Sequence, residues 1–448
     1  MNYAMHRWVV ALVLCLLPVL APGADYSATP ANYRALLKQL APGDVLRLQP
    51  GTYRRGLPIH KLNGTSGQPI IITAADDARR PLFIGRPNHN SVSILNSSHV
   101  EISDLILDGR GLPVDAVKAE GHADWAHHIT LENLRIVNHG HNQQIVGIST
   151  KCPAWNWVVR GNVIIGAGTG LYFGNSDGSD AFVAGLIERN LVLDTLGYNL
   201  QVKHQLKRED VPGMPRGDAQ TIIRHNVFSK LRGGSEPPMA RPNVLVGHWP
   251  LSGPGEHDRY LIYGNFFYQN PTEALFQGEG NIGLYNNLFV NDFGDAVHIQ
   301  PHNDIPRRMD IFFNTVLSAG TGIRVLPPQG ELVELMTPYT QRVTANAVFA
   351  PQPIEANEVR GNVTASLSVV GAYLRQPLMP PGELDLRPLQ PLQAEFDTTR
   401  LRRYPAWNRD FDGVPRRGDE AGAYASAPAP AHWPPDLRRK PRADGGFP

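Results

Sequence analysis

Lys203, His204, His248 and Arg224 are the residues of this 448-residue sequence whose types could move protons beside a carboxylate. β-Elimination from a uronate needs a cation at the carboxylate to acidify the adjacent C–H, a base for that proton, and an acid for the leaving oxygen. Lys203 can serve as base or neutraliser and His248 as base or acid, with His204 beside Lys203 and Arg224 or Tyr172 in support. A lysine base requires burial or neighbouring positive charge to bring its pKa toward neutrality. The same abstraction without bond cleavage would give a C5 epimerase. A glycoside hydrolase needs instead two carboxylates about 5 to 9.5 Å apart, and Glu279 with Asp177 or Asp180 is the nearest pair. A noncatalytic polysaccharide-binding or cell-surface protein is the third alternative.

Other motifs point less clearly to chemistry. Asn175-Ser-Asp177-Gly-Ser-Asp180 could take calcium but reads first as a turn, and no other cofactor is expected. His139 with His141, and His298 with His302, lack a third ligand at a telling distance, so no residue is assigned to a metal. Gly174-Asn-Ser176-Asp-Gly178 and Gly278-Glu-Gly280-Asn-Ile-Gly283 have the letters of a nucleophile elbow and a dinucleotide fingerprint, but neither opens a helix.

The elements that must position these groups repeat. A β-branched run, an Asn, apolar residues and a turn recur at Asn133, Asn162, Asn190, Asn226, Asn265, Asn287, Asn314 and Asn346, with Asp104 in the place of an earlier copy. The spacings of 29, 29, 28, 36, 39, 22, 27 and 32 residues mark stacked units that bury their apolar faces only against one another. The pattern predicts an all-β, right-handed parallel β-helix, with the asparagines pairing from coil to coil at a bend. A second strand follows each Asn by about ten residues, and alternation there turns Leu171, Phe173, Leu200, Val202, Val244, Val246, Val297 and Ile299 inward. One outward column then runs Tyr172, Gln201, Leu245, Phe276, His298, Arg324, and the next Gly174, Lys203, Gly247, Gly278, Gln300. Lys203 would lie between glycines in a trough that suits a sugar ring. Tyr172, Asn175, Gln201, Phe276, Glu279, His298, Gln300 and Arg324 would bind substrate by hydrogen bonds and stacking. The longest intervals place insertions at 205–220, 229–243 and 249–258, whose Lys207, Arg208, Arg216, Lys230, Arg232 and Arg241 would attract an anionic polymer.

Composition agrees with such a fold. Gly and Pro number 43 and 39, favouring turns over long helices, and 42 Lys and Arg against 41 Asp and Glu exclude a broadly basic nucleic-acid binder. Residues 1–24 read as a signal peptide, implying a secreted or periplasmic protein with no membrane segment after cleavage. Cleavage would leave Cys152 as the one cysteine, so packing must hold the fold. Residues 31–40 have helical spacing and would cap the first coil, the β-helix domain spans 25–424, and 425–448 read as a disordered Pro-rich tail. A capped solenoid of this kind is expected to be a monomer.

Gly43-Asp-Val-Leu-Arg-Leu-Gln-Pro-Gly-Thr-Tyr53, Leu62-Asn-Gly-Thr65 and Pro69-Ile-Ile-Ile-Thr-Ala74 resemble the N-terminal coils of the chondroitinase B and alginate lyase group of polysaccharide lyases. Asp410-Phe-Asp-Gly-Val-Pro-Arg-Arg-Gly-Asp-Glu-Ala-Gly-Ala-Tyr424 is similar to a closing motif of many exported β-helix proteins. The resemblance implies a polysaccharide substrate and a lysine base, carried here by Lys203 in Tyr198-Asn-Leu-Gln-Val-Lys203. It also implies an arginine one coil later and acidic calcium ligands. This chain has Gly247 followed by His248 at the first place, and Leu196, Gly197, Tyr198 and Asn199 at the second.

Overall fold

The computed structural model describes residues 23–416, 418–425 and 433–441. The chain winds as a parallel β-helix of three sheets with 15, 12 and 11 strands. The first sheet runs from Asp25–Ala28 to Glu358–Arg360, the second from Thr52–Tyr53 to Val363–Ala365, and the third from Leu57–His60 to Gln352–Glu355. Each complete coil adds one strand to each sheet, and its inward residues stack on those of the next. In the third sheet Ile148, Leu171, Leu200, Val244, Phe276, Val297 and Ile323 form one such file, and all are fully buried. The predicted leader lies outside the described residues except for its last two. No helix among the described residues is long and apolar enough to cross a membrane.

The predicted register needs one correction. Phe276 pairs with Val244, and Gly278 with Val246, so both belong to the inward file, while Gln277 and Glu279 take the outward places. Two adjacent apolar residues, Leu275 and Phe276, offer two phases, and both are buried, one in the turn and one in the strand. Gly278 has no side chain to reveal its face. A Cβ there would lie 2.7 Å from Ile282 Cδ1, so a larger residue would have to displace that side chain.

The asparagines pair as expected at the corner between the first and second sheets. Each Nδ2 donates to the Oδ1 of the next coil at 2.9–3.0 Å, from Asn162 through Asn190, Asn226, Asn265, Asn287, Asn314 and Asn346 to Asn362. The same Oδ1 accepts the backbone N–H of the Asn below, and Nδ2 also donates to a strand carbonyl, as Asn226 does to Ile187. Burial therefore leaves no amide atom of the ladder interior unpaired. The residue before each Asn turns the chain in the left-handed region, for example Arg189 at φ 54° and His225 at φ 57°. Asn133 and Asp104 occupy that bent position, at φ 54° and 61°, instead of a rung. Asn162 meets the backbone N–H of Leu134 there, so the ladder begins one coil later than predicted.

The ends differ more from expectation. The predicted helix is the five residues Tyr33–Leu37, whose buried Tyr33 sets its ring edge-on to Tyr53 and Phe83. Coils stop at residue 365, and 366–424 wrap the outside of the corner between the first and second sheets. Outward Tyr285, Phe312, Phe266 and Leu288 are apolar, and Leu374, Leu386, Tyr404, Phe411 and Tyr424 cover them in a second core. Part of the segment read as a disordered tail also packs: Lys440 Nζ donates to the Phe411 carbonyl at 2.6 Å, and Arg439 to that of Gly161 at 2.7 Å.

Asn226→Ala would strip the shared acceptor from two donors of Asn190 and remove the side-chain donor to the Ile187 carbonyl. At about 1–3 kcal/mol for each buried group left unpaired, we expect a loss of at least about 2 kcal/mol in urea unfolding. Asn133→Ala, off the ladder, should lose clearly less.

Candidate functional site

The outward face of the third sheet carries two columns. The first runs Lys118, Ser149, Tyr172, Gln201, Leu245, Gln277, His298 and Arg324. The second lies one residue past the strand ends and reads Lys151, Gly174, Lys203, Gly247, Glu279. Its register is kept by hydrogen bonds from Lys203 N–H to the Phe173 carbonyl at 2.8 Å and from Glu279 N–H to the Val246 carbonyl at 2.9 Å. A side chain at Gly247 would meet the His204 backbone at 2.3 Å, and at Gly174 it would reach the Lys203 Cβ at 3.3 Å. The half-buried Lys203 therefore stands between two bare stretches of backbone.

Lys151 was missed by sequence reasoning. Its Nζ sits 3.7 Å from the centroid of the Tyr172 ring, a cation–π contact that holds the ammonium on the column, where Glu120 takes the same place one coil before. The signal was present: Ile148-Ser-Thr-Lys151 alternates as Leu171-Tyr-Phe-Gly174 and Leu200-Gln-Val-Lys203 do. Burial, aided by the charges of Lys118 and Lys203, brings its pKa down to about 8. Burial also lowers the pKa of Lys203, Glu279 opposing and Arg241 assisting. Tyr198 was likewise missed. It adds a second phenol on this face, with the Arg241 guanidinium 6.0 Å from its ring. Burial raises the pKa of both Tyr172 and Tyr198, which keeps them O–H donors. His302 was considered only as a metal partner of His298. Its pKa is lowered by burial and then by the charges of Lys203 and Arg241, which puts it within their field.

The two predicted histidines do come together, with ring centroids 5.3 Å apart. Both are buried, His204 under the loop that carries Gly178 and His248 beside Trp249. His248 Nδ1 lies 2.8 Å from the Trp249 carbonyl, so that nitrogen donates. Burial and then the Lys203 charge bring the His204 pKa down to about 4, and it is a neutral imidazole at neutral pH. Their place is behind Lys203, not on the open floor.

Several predicted residues are committed elsewhere. Arg224 lies on the first sheet, bound to Glu188 at 2.7 Å and to the Tyr263 hydroxyl at 3.0 Å, so it does not support Lys203. Arg324 pairs with both Asp295 and Glu355 at 2.8 Å. Phe276 is core. Glu279 is buried, and its Oε1 accepts the N–H groups of His302, Asn303 and Asp304 at 2.5, 2.9 and 3.0 Å, anchoring that loop. Asn175 donates to Asp180, and Asp177 accepts from Ser179, so their turn is satisfied internally. Tyr172, Gln201, His298 and Gln300 remain along the columns. A calcium ion does not fit this arrangement, because two lysines occupy the column and, among the described residues, no acidic cluster faces Lys203.

The long insertions flank this sheet. Residues 230–243 lead into the strand Val244–Val246, while 203–219 and 247–258 leave the third sheet for the first. The latter two are pinned together by Arg208 and Asp258, 2.5 Å apart with side chains 1% exposed. Asp258 also accepts the Ala219 N–H at 2.8 Å. The 230–243 loop is held by buried Lys230, whose Nζ donates to the Arg241 carbonyl at 2.8 Å. A separate cavity of about 350 Å³ lies on the first sheet between Glu256, Arg259, Arg307 and Tyr404. Its Arg307 is spent on the carbonyls of Glu256, Trp249 and Pro250, and no lysine column meets it.

No protein-family model matches this chain, and no curated protein matches it. Among solved structures it is similar to an alginate lyase from Paenibacillus sp. str. FPU-7, at 17% identity over 76% of this chain and 99% of that one, TM-score 0.41. It is also similar to a mannuronic acid specific polysaccharide family 6 lyase from human gut microbiota, at 14% identity over 78% and 88%, TM-score 0.48. Pectate lyase Pel9A matches at 14% identity over 91% and 97%, TM-score 0.43.

Asp258→Ala would leave the Arg208 guanidinium buried without its counter-charge, and breaking a buried pair from one side costs about 3–5 kcal/mol. We expect a lower urea midpoint and faster proteolytic cutting within 203–219 than in the wild type.

Proposed function

We propose that this chain is an exported polysaccharide lyase that cleaves an anionic, uronate-containing polymer by β-elimination. The observation that carries the reading is the column on the third sheet: Lys203 between Gly174 and Gly247, with Lys151 two coils before it and Arg241 overhead. A polymer laid along the column would meet these cations with its carboxylates. Lys203, its pKa lowered by burial, takes the C5 proton as a neutral amine. Lys151 stays charged and stabilises the carboxylate as negative charge develops on it. The C4–O4 bond then breaks, and O4 receives a proton from the Tyr172 phenol. The buried pair His204 and His248 supports the backbone behind Lys203 and does not touch substrate. Calcium has no step in this scheme.

Lys203→Ala should lower turnover of a uronate polymer by about 10²–10⁴, measured as ultraviolet absorbance of unsaturated ends. Normal turnover in that variant would refute the site. New reducing ends without the absorbance would indicate hydrolysis, and C5 inversion without cleavage an epimerase. The pH profile tests the division of labour. Activity should follow the form with Lys203 free and Lys151 charged, a bell-shaped profile with one limb near pH 8. Lys151→Arg keeps its charge well above that range, so the limb near pH 8 should vanish and activity should climb with the Lys203 titration alone.

A further inference from the structure

Away from the groove, the first sheet brings three imidazoles together. His99 lies in the strand Ser97–Ser103, and His127 and His128 in Ala126–Glu132, which pair in register from Ala126 with Ser97 to Glu132 with Ser103. Consecutive residues of a strand point to opposite faces, which would separate His127 from His128. The backbone of His128 is left-handed, at φ 52°, as is that of His99, at φ 51°. Residues other than glycine are uncommon there, histidine less so than most, and the bend defeats alternation on both coils. The His99 and His128 rings stack at 4.2 Å, and His127 stands nearly perpendicular to both, at 89° and 80°. His127 Nδ1 lies 2.7 Å from His128 Nδ1, and one ligating nitrogen from each of the three rings falls within 4.8 Å of the others. All three side chains are partly exposed.

We propose that His99, His127 and His128 form a binding site for a divalent transition-metal ion, on a sheet other than the one that carries the groove. An all-imidazole set suits zinc, copper or nickel, whereas calcium and magnesium want oxygen. Three protein ligands also leave a fourth position for water. Metal–nitrogen bonds of about 2.0–2.1 Å in a tetrahedral site separate the nitrogens by roughly 3.3 Å. The close His127–His128 pair must open a little and His99 must swing in. The ring of Trp155, stacked on His127 at 4.3 Å, limits that motion to rotation in plane. Asn156 lies 2.9 Å from His128 Nε2, where it can orient the ring that binds through Nδ1. Metal binding requires His128 to carry its proton on Nε2, with the Asn156 amide turned to accept it.

The test is zinc titration of the full chain after chelator treatment, read by competition with a chromophoric chelator. The wild type should bind one equivalent that His127→Ala and His99→Gln lose, while His141→Ala retains it. Asn156→Asp should bind more tightly and Asn156→Leu about tenfold or more weakly, which a merely structural imidazole stack would not produce. Circular dichroism of each variant guards against unfolding, and His99→Gln keeps the test decisive if His127→Ala does not fold. The proposal is overturned if the wild type retains no zinc, or if folded His99→Gln binds as the wild type does.

Discussion

One constraint organises this molecule: a buried amide at each corner must meet the amide above and below it. An Asn with its Oδ1 taken twice and its Nδ2 shared between a neighbour and a strand carbonyl has no freedom to slip by a residue. Slippage would turn every strand side chain to the wrong face and leave polar atoms unpaired in an apolar interior. The ladder therefore fixes the register of the adjoining first and second sheets directly. It reaches the third sheet only through the length of the turn between the second and third strands of each coil. That turn varies, from 165 to 169 in one coil to 229 to 244 in another, and there local packing decides.

This division explains what could be read from the residues alone. The parallel coils were legible because the Asn, the β-branched runs and the turns repeat, and repetition is visible without coordinates. The meeting of His204 and His248 was legible too, since the Val202 and Val246 strands have an unambiguous alternation. Phe276 was misplaced where the alternation was ambiguous and a glycine hid the inward position. Lys151 was overlooked because the turn from Val137 to Val146 is longer than that from Ile165 to Thr169, so a count of about ten from Asn133 falls short of its strand. The C-terminal wrap had no repeat to announce it. Its cause is the apolar outer surface of Tyr285, Phe312 and Phe266, a property of stacked columns and not of any one segment.

The groove's electrostatics follow from its shape. Lysines on one outward column, separated by a coil that offers only glycine, share a partly desolvated strip with few carboxylates to compensate them. Each then lowers the other's proton affinity, and burial adds to the effect. Such a pair titrates as a unit, so that the first proton leaves more easily than the second. A strip with one ammonium and one free amine is the state proton abstraction beside a carboxylate calls for: a fixed charge to hold the anion and a base to act on it. The ion–ring contact with Tyr172 works against that lowering at Lys151, since the quadrupole of the ring favours charge there.

The walls of the groove carry charged groups that are fully buried. Lys230 is fully buried to hold one carbonyl, that of Arg241, which Asn270 also binds at 2.9 Å. Arg208 and Asp258 are removed from water to tie two loops to each other. Burying charge this way seldom adds stability over an apolar packing of the same volume. The charges are spent where loops leave the ladder's control, and they hold these loops, with Arg241 among their residues, at fixed positions over a floor the ladder has already set. Scaffold and loop thus solve the same problem by different means: repetition fixes the floor, and isolated buried polar anchors fix the walls.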